Sequence, residues 1–360
     1  TLAVEVHQSS ATSGDLVWGL ELNASRSVTN SVVFGVVLNE VMANNVTFAE
    51  AGGTNLADWV ELYNPSTNAF DLSGLSLSDD LEQPGRWVFP AGVTLPPGGY
   101  LVVRCDPDAP ASSELEPIFN TGFGLKSDAG DAVYLFDADG RGGAMLDSVV
   151  FGLQVPDYSI GRIPNGRGAW ALNLPSPGAA NIAAALGNSS SLVINEWLAN
   201  PSGNDKDFVE LYNPLPQPID LSQLFLSDNF TNRTRSALHP LSFIGVCENG
   251  FVRLIADSDV NAGADHLNFG LSAAGEAIVV YSANQDLITS VTFGRQENGV
   301  SEGRFPDGST NIVRFRGTTT PGRSNLLPLE SIAVSEVLTH TDLPLEDAIE
   351  LENISSSAVD

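Results

Sequence analysis

The hydrophobic positions of this chain fall in short runs separated by turn sequences, and no long helical period is found. Segments such as 59–63 (WVELY) and 132–136 (AVYLF) are rich in β-branched and aromatic residues, which favour strands. Asn-Pro, Asp-Gly and Pro-Gly turn sequences bound them and recur about every 8 to 15 residues. This spacing predicts an all-β fold of antiparallel β-sandwiches, with roughly seven to nine strands in each.

The order of these runs repeats along the chain, which indicates two complete copies and part of a third. Two blocks occur three times in the same order: LNEVMAN at 38–44, INEWLAN at 194–200 and VSEVL at 334–338; DWVELYNP at 58–65, DFVELYNP at 207–214 and DAIELEN at 347–353. Later blocks pair between the first two copies: 70–73 with 219–222, 149–152 with 291–294, and 161–166 with 303–308. The third copy therefore holds only two strands, too few to bury a core of its own.

The repeats and the polar stretches between them predict the following organisation. Residues 1–31 are the closing strands of a preceding β-domain with a linker, 32–182 the first repeat domain, 183–191 a linker, 192–326 the second repeat domain, and 327–360 the truncated start of a third. We therefore expect the segment to come from a larger protein that extends beyond both of its ends.

Composition and charge narrow the possible partners. The 360 residues exceed one ordinary core, and 42% hydrophobic against 17% charged residues is a globular composition. The formal net charge of −28 would repel the phosphates of a nucleic acid, so nucleic acid is not predicted as a partner. No apolar stretch reaches the roughly 18 residues of a membrane span, so no membrane insertion is predicted for this segment. Cys105 and Cys247 fall in different repeats, which excludes a disulfide within one domain.

The repeated blocks resemble the lamin-tail domain, an immunoglobulin-like sandwich of nuclear lamins that is also repeated inside secreted or surface proteins of bacteria. The resemblance covers about 37–181 and 192–325, with a stub from 332, and is carried in the first copy by Asn39-Glu40, 58–65, 71–74 and 147–152. No coiled-coil heptads accompany these blocks, so the parent is not a lamin. Residues 2–8 resemble the end of a galactose-binding-like jelly roll. The resemblance implies adhesion, tethering or spacing at an extracellular or cell-surface location, and it offers no catalytic residues to carry over.

Acidic residues recur at fixed places in the first two repeats. They are Glu40, Asp58 and Glu61 in the first copy and Glu196, Asp207 and Glu210 in the second. The glutamates stand among apolar neighbours on predicted strands, where a carboxylate needs hydrogen-bond donors or a shifted pKa. One interpretation is an acid/base pair. The other, which we favour, is a structural role in which backbone amides or the guanidinium groups of Arg162 and Arg304 satisfy the carboxylates.

A calcium site is a further alternative, because hard oxygen ligands occupy equivalent loops after a strand. The candidates are Asp106 and Asp108 in the first repeat and Asp257, Asp259 and Asn261 in the second. Against the EF-hand pattern, however, Ala262 stands where glycine is required and Asn268 where the bidentate glutamate belongs. Ordinary Asx turns explain the same residues, so no cofactor is predicted and calcium is kept as an alternative.

Enzymatic motifs give no coherent active site. Residues 299–303 (GVSEG) fit the nucleophile-elbow pattern, but they lie between short strands, and the paired block 156–161 lacks the first glycine. The histidines are scattered over different units, at positions 7, 239, 266 and 340, and form no zinc or proton-relay motif. The sequence therefore predicts a chain that is not an enzyme.

Aromatic residues raise the possibility of carbohydrate binding. Trp59 and Phe208 alternate within strands and are expected in a core, whereas Trp87 and Trp170 lie near loops and are the candidates for stacking on sugar rings.

The leading hypothesis is a non-catalytic extracellular array of sandwiches strung by short linkers, which acts as a spacer or binds a protein or a surface polysaccharide. One alternative is a targeting appendage of a secreted enzyme (hydrolase, nuclease or kinase-like) whose catalytic domain lies outside this segment. The other alternative is a carbohydrate-binding module.

Overall fold

The computed structural model describes residues 35–49, 56–328, 331–340 and 346–356. The predicted closing strands of a preceding β-domain, at 1–31, lie outside the described residues. Within the described ranges, helical structure is limited to three short 3₁₀ turns, Asp139–Arg141, Ser189–Ser191 and Cys247–Asn249. No helix in these ranges is long and apolar enough to cross a membrane. The expected all-β class is confirmed.

Thirteen strands form the first sandwich among the residues that the structure describes. They are β1 (Val37–Met42), β2 (Asp58–Tyr63), β3 (Phe70–Asp71), β4 (Ser76–Ser78), β5 (Trp87–Val88), β6 (Thr94–Leu95), β7 (Tyr100–Cys105), β8 (Phe119–Asn120), β9 (Asp131–Phe136), β10 (Met145–Phe151), β11 (Ser159–Ile163), β12 (Ala169–Leu174) and β13 (Ile182–Ala183). A seven-stranded sheet in the order β13-β12-β11-β1-β2-β7-β8 packs against a four-stranded sheet in the order β10-β9-β4-β5, and β3 pairs with β6.

The second sandwich repeats this arrangement with twelve strands. They are β14 (Val193–Leu198), β15 (Phe208–Tyr212), β16 (Ile219–Asp220), β17 (Phe225–Ser227), β18 (Ser236–Ala237), β19 (Phe243–Ile244), β20 (Phe251–Ala256), β21 (His266–Leu267), β22 (Ala277–Tyr281), β23 (Leu287–Thr292), β24 (Val300–Arg304) and β25 (Ile312–Arg316). Its large sheet runs β21-β20-β15-β14-β24-β25, its small sheet runs β18-β17-β22-β23, and β16 pairs with β19.

The predicted number of strands holds for strands of three or more residues, of which each sandwich has eight. The remaining described strands, five in the first sandwich and four in the second, have two residues each and lie at the sheet edges or in the separate pairs β3-β6 and β16-β19. Such short pairings leave no alternating hydrophobic pattern, so sequence periodicity does not detect them.

A β-bulge occurs at the same place in each repeat. The register between β1 and β2 shifts between Leu38 and Glu40, and that between β14 and β15 shifts between Ile194 and Glu196. Residues two positions apart on a regular strand face the same side of the sheet. An extra residue between them places them on opposite sides. Leu38 therefore lies in the core of the sandwich, while Glu40 faces the opposite side of the large sheet.

The third repeat forms a hairpin of β26 (Ile332–Leu338) and β27 (Ala348–Asn353). Its register shifts between Val334 and Glu336, so it carries the same bulge as the two sandwiches. Val334 and Leu351, whose counterparts are buried in the sandwiches, are 61% and 63% exposed here. The hairpin keeps its register although no second sheet covers it among the described residues.

The two sandwiches contact each other directly. The backbone amide of Gly152 donates to the Pro240 carbonyl at 2.9 Å, and the amide of Phe243 donates to the Leu153 carbonyl at 2.9 Å. Phe243 belongs to the second sandwich but packs in the core of the first, and Leu153 of the first packs in the core of the second. Each sandwich thus completes part of the core of the other.

Candidate functional site

The feature that the structure builds identically in both sandwiches is a buried pair of glutamates on the outer face of the large sheet. Glu40 and Glu61 are direct partners between β1 and β2, and Glu196 and Glu210 are direct partners between β14 and β15. All four have 0% exposure. The bulge causes this arrangement, since it turns the first glutamate of each pair away from the core.

In the first sandwich, hydroxyl and amide groups converge on the two carboxylates. Ser159 Oγ donates to Glu40 at 2.5 Å, and the backbone amide of Ser176 donates to the same carboxylate at 3.0 Å. Glu61 accepts from the Gly178 amide at 2.5 Å and from Asn39 Nδ2 at 3.0 Å. Residues 175–181, called the closing segment of this sandwich, are thereby held over the glutamate pair.

The second sandwich has the same network. Ser301 Oγ donates to Glu196, which also accepts from the Thr320 amide at 3.1 Å. The amide of Gly322 donates to Glu210 at 2.7 Å. Residues 319–325 form the closing segment here.

An asparagine anchors the end of each closing segment. Asn181 Nδ2 donates to the carbonyls of Asn39 and Arg162, both at 2.9 Å. Asn325 Nδ2 donates to the Arg304 carbonyl at 2.8 Å, and Asn325 is only 3% exposed.

Burial shifts the proton affinity of the pairs. It raises the pKa of Glu61 to about 7 and that of Glu210 to about 8, against the hydrogen bonds that favour the ionised forms. The neighbouring charge of Glu40 or Glu196 raises these two pKa values further. Burial also raises the pKa of Glu40 and of Glu196, and their hydroxyl and amide donors oppose it. Each pair therefore binds protons at higher pH than an exposed glutamate would.

The geometry makes these glutamates anchors for their own closing segments. Their oxygens accept from groups of the same sandwich, as the structural interpretation predicted for backbone amides, and no surface of either carboxylate is open to a substrate. The prediction for the two arginines is wrong. Arg162 pairs with Asp147 at 2.8 Å and donates to the Leu38 carbonyl, and Arg304 donates to the carbonyls of Ile194 and Ser309. The strand partners of Glu40 and Glu196 are Gly161 and Gly303, so the arginine that follows each glycine faces the other side of the sheet.

The Lamin Tail Domain family model matches residues 30–152 and 187–295, more than half of the chain. The chain belongs to the lamin tail domain family. No curated protein and no solved structure matched it. The two matched ranges end before β11 and β24, so Ser159, Ser301 and both closing segments lie outside the matched residues.

Each lamin-tail sandwich also has one aspartate at the start of its second strand. Asp58 accepts from the Asn45 amide at 3.1 Å, and burial raises its pKa to about 6. Asp207 accepts from the Leu271 amide at 2.8 Å, and burial raises its pKa as well. Both aspartates thus fasten a loop to the large sheet, which is a structural role.

The candidate calcium ligands lie in Asx turns. Asp106 accepts from the Asp108 amide at 3.0 Å, and Asp257 accepts from the Asp259 amide at 3.1 Å. Asp257 is also bound by His266 Nδ1 at 2.9 Å. Asn261 lies in the same exposed loop as Asp259. In the ranges that the structure describes, no three acidic, histidine or cysteine side chains come together as metal ligands.

We expect the melting temperature of this chain to be the same in EDTA and in millimolar calcium, because the carboxylates of Asp106 and Asp257 already accept Asx-turn amides and Asp257 also binds His266. Differential scanning calorimetry measures this directly, since an ion that binds only the native state raises the melting temperature. A melting temperature that rises when calcium is added would contradict the expectation, if Asp257→Ala abolishes the rise and Asp205→Ala keeps it.

The serine of the nucleophile-elbow pattern has a different role from the one that its motif suggests. Ser301 lies in β24 with 0% exposure and donates to Glu196, as Ser159 does to Glu40 in the copy without the motif. Sequence reasoning missed both serines as site residues. The sequence held one signal for them, because both serines occur at the same place in paired blocks. Such recurrence indicates that both serines bind the same kind of group, here the first glutamate of each pair.

The two aromatic residues expected in a core are confirmed, and the candidate Trp87 is wrong as a residue that stacks on sugars. Trp59 and Phe208 are buried as expected, at 0% and 4% exposure, although they lie outside the main core clusters. Trp87 is not available to sugars: it is 3% exposed, stacks edge-on with Phe89, and donates from Nε1 to the Ser112 carbonyl. Trp170 is half-buried with the Arg162 guanidinium 4.8 Å above its ring, so that face of the indole is covered.

Proposed function

We propose that this chain is a non-catalytic extracellular binding and spacer array, in which the two lamin-tail sandwiches act as one rigid pair within a larger protein. The buried glutamates face their own closing segments, which supports a role in the architecture and not in chemistry. The acidic surface, with 44 acidic against 16 basic residues, suits a soluble protein outside the cell.

The contact between the sandwiches carries the proposal. An exchange of core residues fixes relative orientation more firmly than a polar contact, because separation would expose Phe243 and Leu153 together. Gln154 adds a hydrogen bond from Nε2 to the Leu241 carbonyl at 2.7 Å, and the Ala264 amide donates to the Ala129 carbonyl at 2.6 Å. The contact therefore spans two separate loops of the first sandwich.

The connection between the sandwiches is also pinned at both ends. The Ala184 amide donates to the Leu172 carbonyl of the first sandwich, and the Gly187 amide donates to the Pro218 carbonyl of the second, both at 2.8 Å. A connection held in this way sets a fixed spacing, as a rigid spacer requires, whereas a free polar linker would let the sandwiches rotate.

We expect Gly152→Val to separate the sandwiches without unfolding them. A Cβ at Gly152 would lie 2.0 Å from Ser242 Oγ and 2.9 Å from His239 Cβ, both across the contact. Overpacking of this kind costs about 1 to 3 kcal/mol, and the cost falls on the contact between the sandwiches. Small-angle X-ray scattering should show a larger radius of gyration, and circular dichroism should show unchanged strand content.

The chain supplies a matched control at Gly294, which occupies the equivalent place in the second sandwich. A Cβ there meets nothing within 4 Å. Gly294→Val should leave the scattering curve as in the parent chain. Curves that show separated sandwiches in all three proteins, the parent included, would overturn the rigid pair.

A further inference from the structure

Strand β20 of the second sandwich turns half of its backbone groups away from the sheet. The Ala256 amide donates to the Asp207 carbonyl at 2.8 Å, and the Asn213 amide donates to the Gly250 carbonyl at 2.9 Å. In an antiparallel ladder such hydrogen-bonded pairs alternate with non-bonded pairs. The amides and carbonyls of Phe251, Arg253 and Ile255 therefore point to the other edge of β20.

Among the described residues, a strand covers only one end of that edge. Strand β21 pairs with Ile255 and Ala256, and the Ile255 amide donates to the Asp265 carbonyl at 2.8 Å. Phe251 and Arg253 pair with no described strand on this edge. An uncovered strand edge is a template for another extended chain.

The uncovered edge borders a cleft between the two sandwiches. This cleft, of about 360 Å³, is walled by Gln154 and Pro156 of the first sandwich and by Phe251 and Arg253 of the second. The cleft therefore gives an added strand access to the uncovered edge of β20.

The charge of the cleft indicates the chemistry of the partner. Asp128, Glu248 and Asp265 line it together with one guanidinium, that of Arg253. Asp128 and Glu248 form no ion pair with any residue that the structure describes. Asp265 Oδ1 is buried without a hydrogen-bond partner, and His266 Nε2 lies 3.9 Å from it. This excess of carboxylates favours a positively charged segment.

We propose that this cleft binds an extended, lysine- or arginine-rich peptide segment of another protein, which adds to β20 as an edge strand. Backbone hydrogen bonds to Phe251 and Arg253 would align the peptide, and alternate basic side chains would reach Asp128, Asp265 and Glu248. The inference rests on the proposed binding array and names the class of its partner.

Isothermal titration calorimetry of the whole chain tests this with a capped peptide of alternating lysine and valine. Two control peptides accompany it. One alternates glutamate and valine, and the other is the lysine peptide with N-methyl groups on the backbone amides of one strand edge. We expect the lysine peptide to bind and the glutamate peptide not to bind. N-methylation should weaken binding about tenfold or more, because it removes backbone donors while keeping every charge.

Protein variants separate the strand edge from its charge. Arg253→Pro removes the backbone amide that faces the uncovered edge, and an edge strand tolerates proline at such a position. This variant should weaken binding about tenfold. Arg253→Ala keeps that amide and should bind at least as tightly as the parent. Val102→Pro changes the equivalent position of the first sandwich, opposite Glu61 as Arg253 is opposite Glu210, and should have no effect.

Equal binding of the N-methylated peptide, equal binding by Arg253→Pro, or no binding of the lysine peptide would overturn the proposed partner. Scattering by the parent chain and Gly152→Val tests the rigid pair independently. A rigid pair that binds no basic peptide would leave a spacer and remove this partner.

Discussion

Raising the pH from about 5 to about 9 is expected to destabilise this protein. The pKa of Glu61 is raised from 4.5 to about 7 and that of Glu210 from 4.5 to about 8, chiefly by burial. A tenfold change in proton affinity corresponds to about 1.4 kcal/mol, so ionising them in the folded state costs on the order of 3 kcal/mol at Glu61 and 5 kcal/mol at Glu210.

The direction follows from which state binds more protons. Between pH 4.5 and each raised pKa, the folded chain holds a proton that the unfolded chain has released. The stability that these protons provide is complete below pH 4.5 and is lost as the pH rises through about 7 and then about 8. Aspartates with lowered pKa values, such as Asp157 and Asp257, change the stability only at pH values below this window. Within the window they are ionised in both the folded and the unfolded chain.

Urea unfolding at a series of pH values measures how the free energy of unfolding changes with pH. Two variants test whether Glu61 and Glu210 cause that change. Glu61→Gln with Glu210→Gln should flatten most of the dependence, since an amide cannot ionise. Glu297→Gln, at an exposed carboxylate of the second sandwich, should leave it intact. Stability that rises between pH 5 and 9 in the parent chain would contradict the assignment.

The sandwich fold could be predicted because its signals are local or repeated. The blocks around Glu61 and Glu210 mark matched strands, and their fixed order excludes a chance pattern. The lamin-tail resemblance rested on these same blocks, which lie inside the residues matched by the family.

The outward direction of Glu40 was not predicted, although the sequence held a signal. Leu38 and Val41 both pack in the core, three positions apart, where a regular strand allows only even spacings. The odd spacing indicates one extra residue, Asn39, and the same break occurs between Ile194 and Trp197. Alternation alone placed the glutamates on strands but could not show which face they occupy.

The closing segments and the contact between sandwiches depend on distant residues. Ser176 lies 136 positions from Glu40, and Ser242 lies 89 positions from Leu153. No local pattern encodes such pairs. Gly152 and Gly294 have identical neighbours on one side in the sequence, Phe151 and Phe293, yet only the first meets another sandwich.

Glu196→Ala is expected to release the closing segment of the second sandwich. The change leaves Ser301 Oγ and the Thr320 amide without their common acceptor inside a buried site, whereas the Thr320 hydroxyl keeps Asn325 Oδ1 as an acceptor at 2.9 Å. Each buried donor left unsatisfied costs about 1 to 3 kcal/mol, so a total of about 2 to 6 kcal/mol is expected. Trypsin should then cleave faster after Arg323, which lies within this segment, and mass spectrometry identifies the cut.

Glu297→Ala is the matched control, because it removes a carboxylate of the same sandwich whose partners, Arg314 and Arg316, are exposed. Equal cleavage after Arg323 in both variants would show that Glu196 does not hold the segment. Glu196 also connects this variant to the pH dependence, since its charge raises the pKa of Glu210. Glu196→Ala should therefore also lower the pH at which Glu210 ionises.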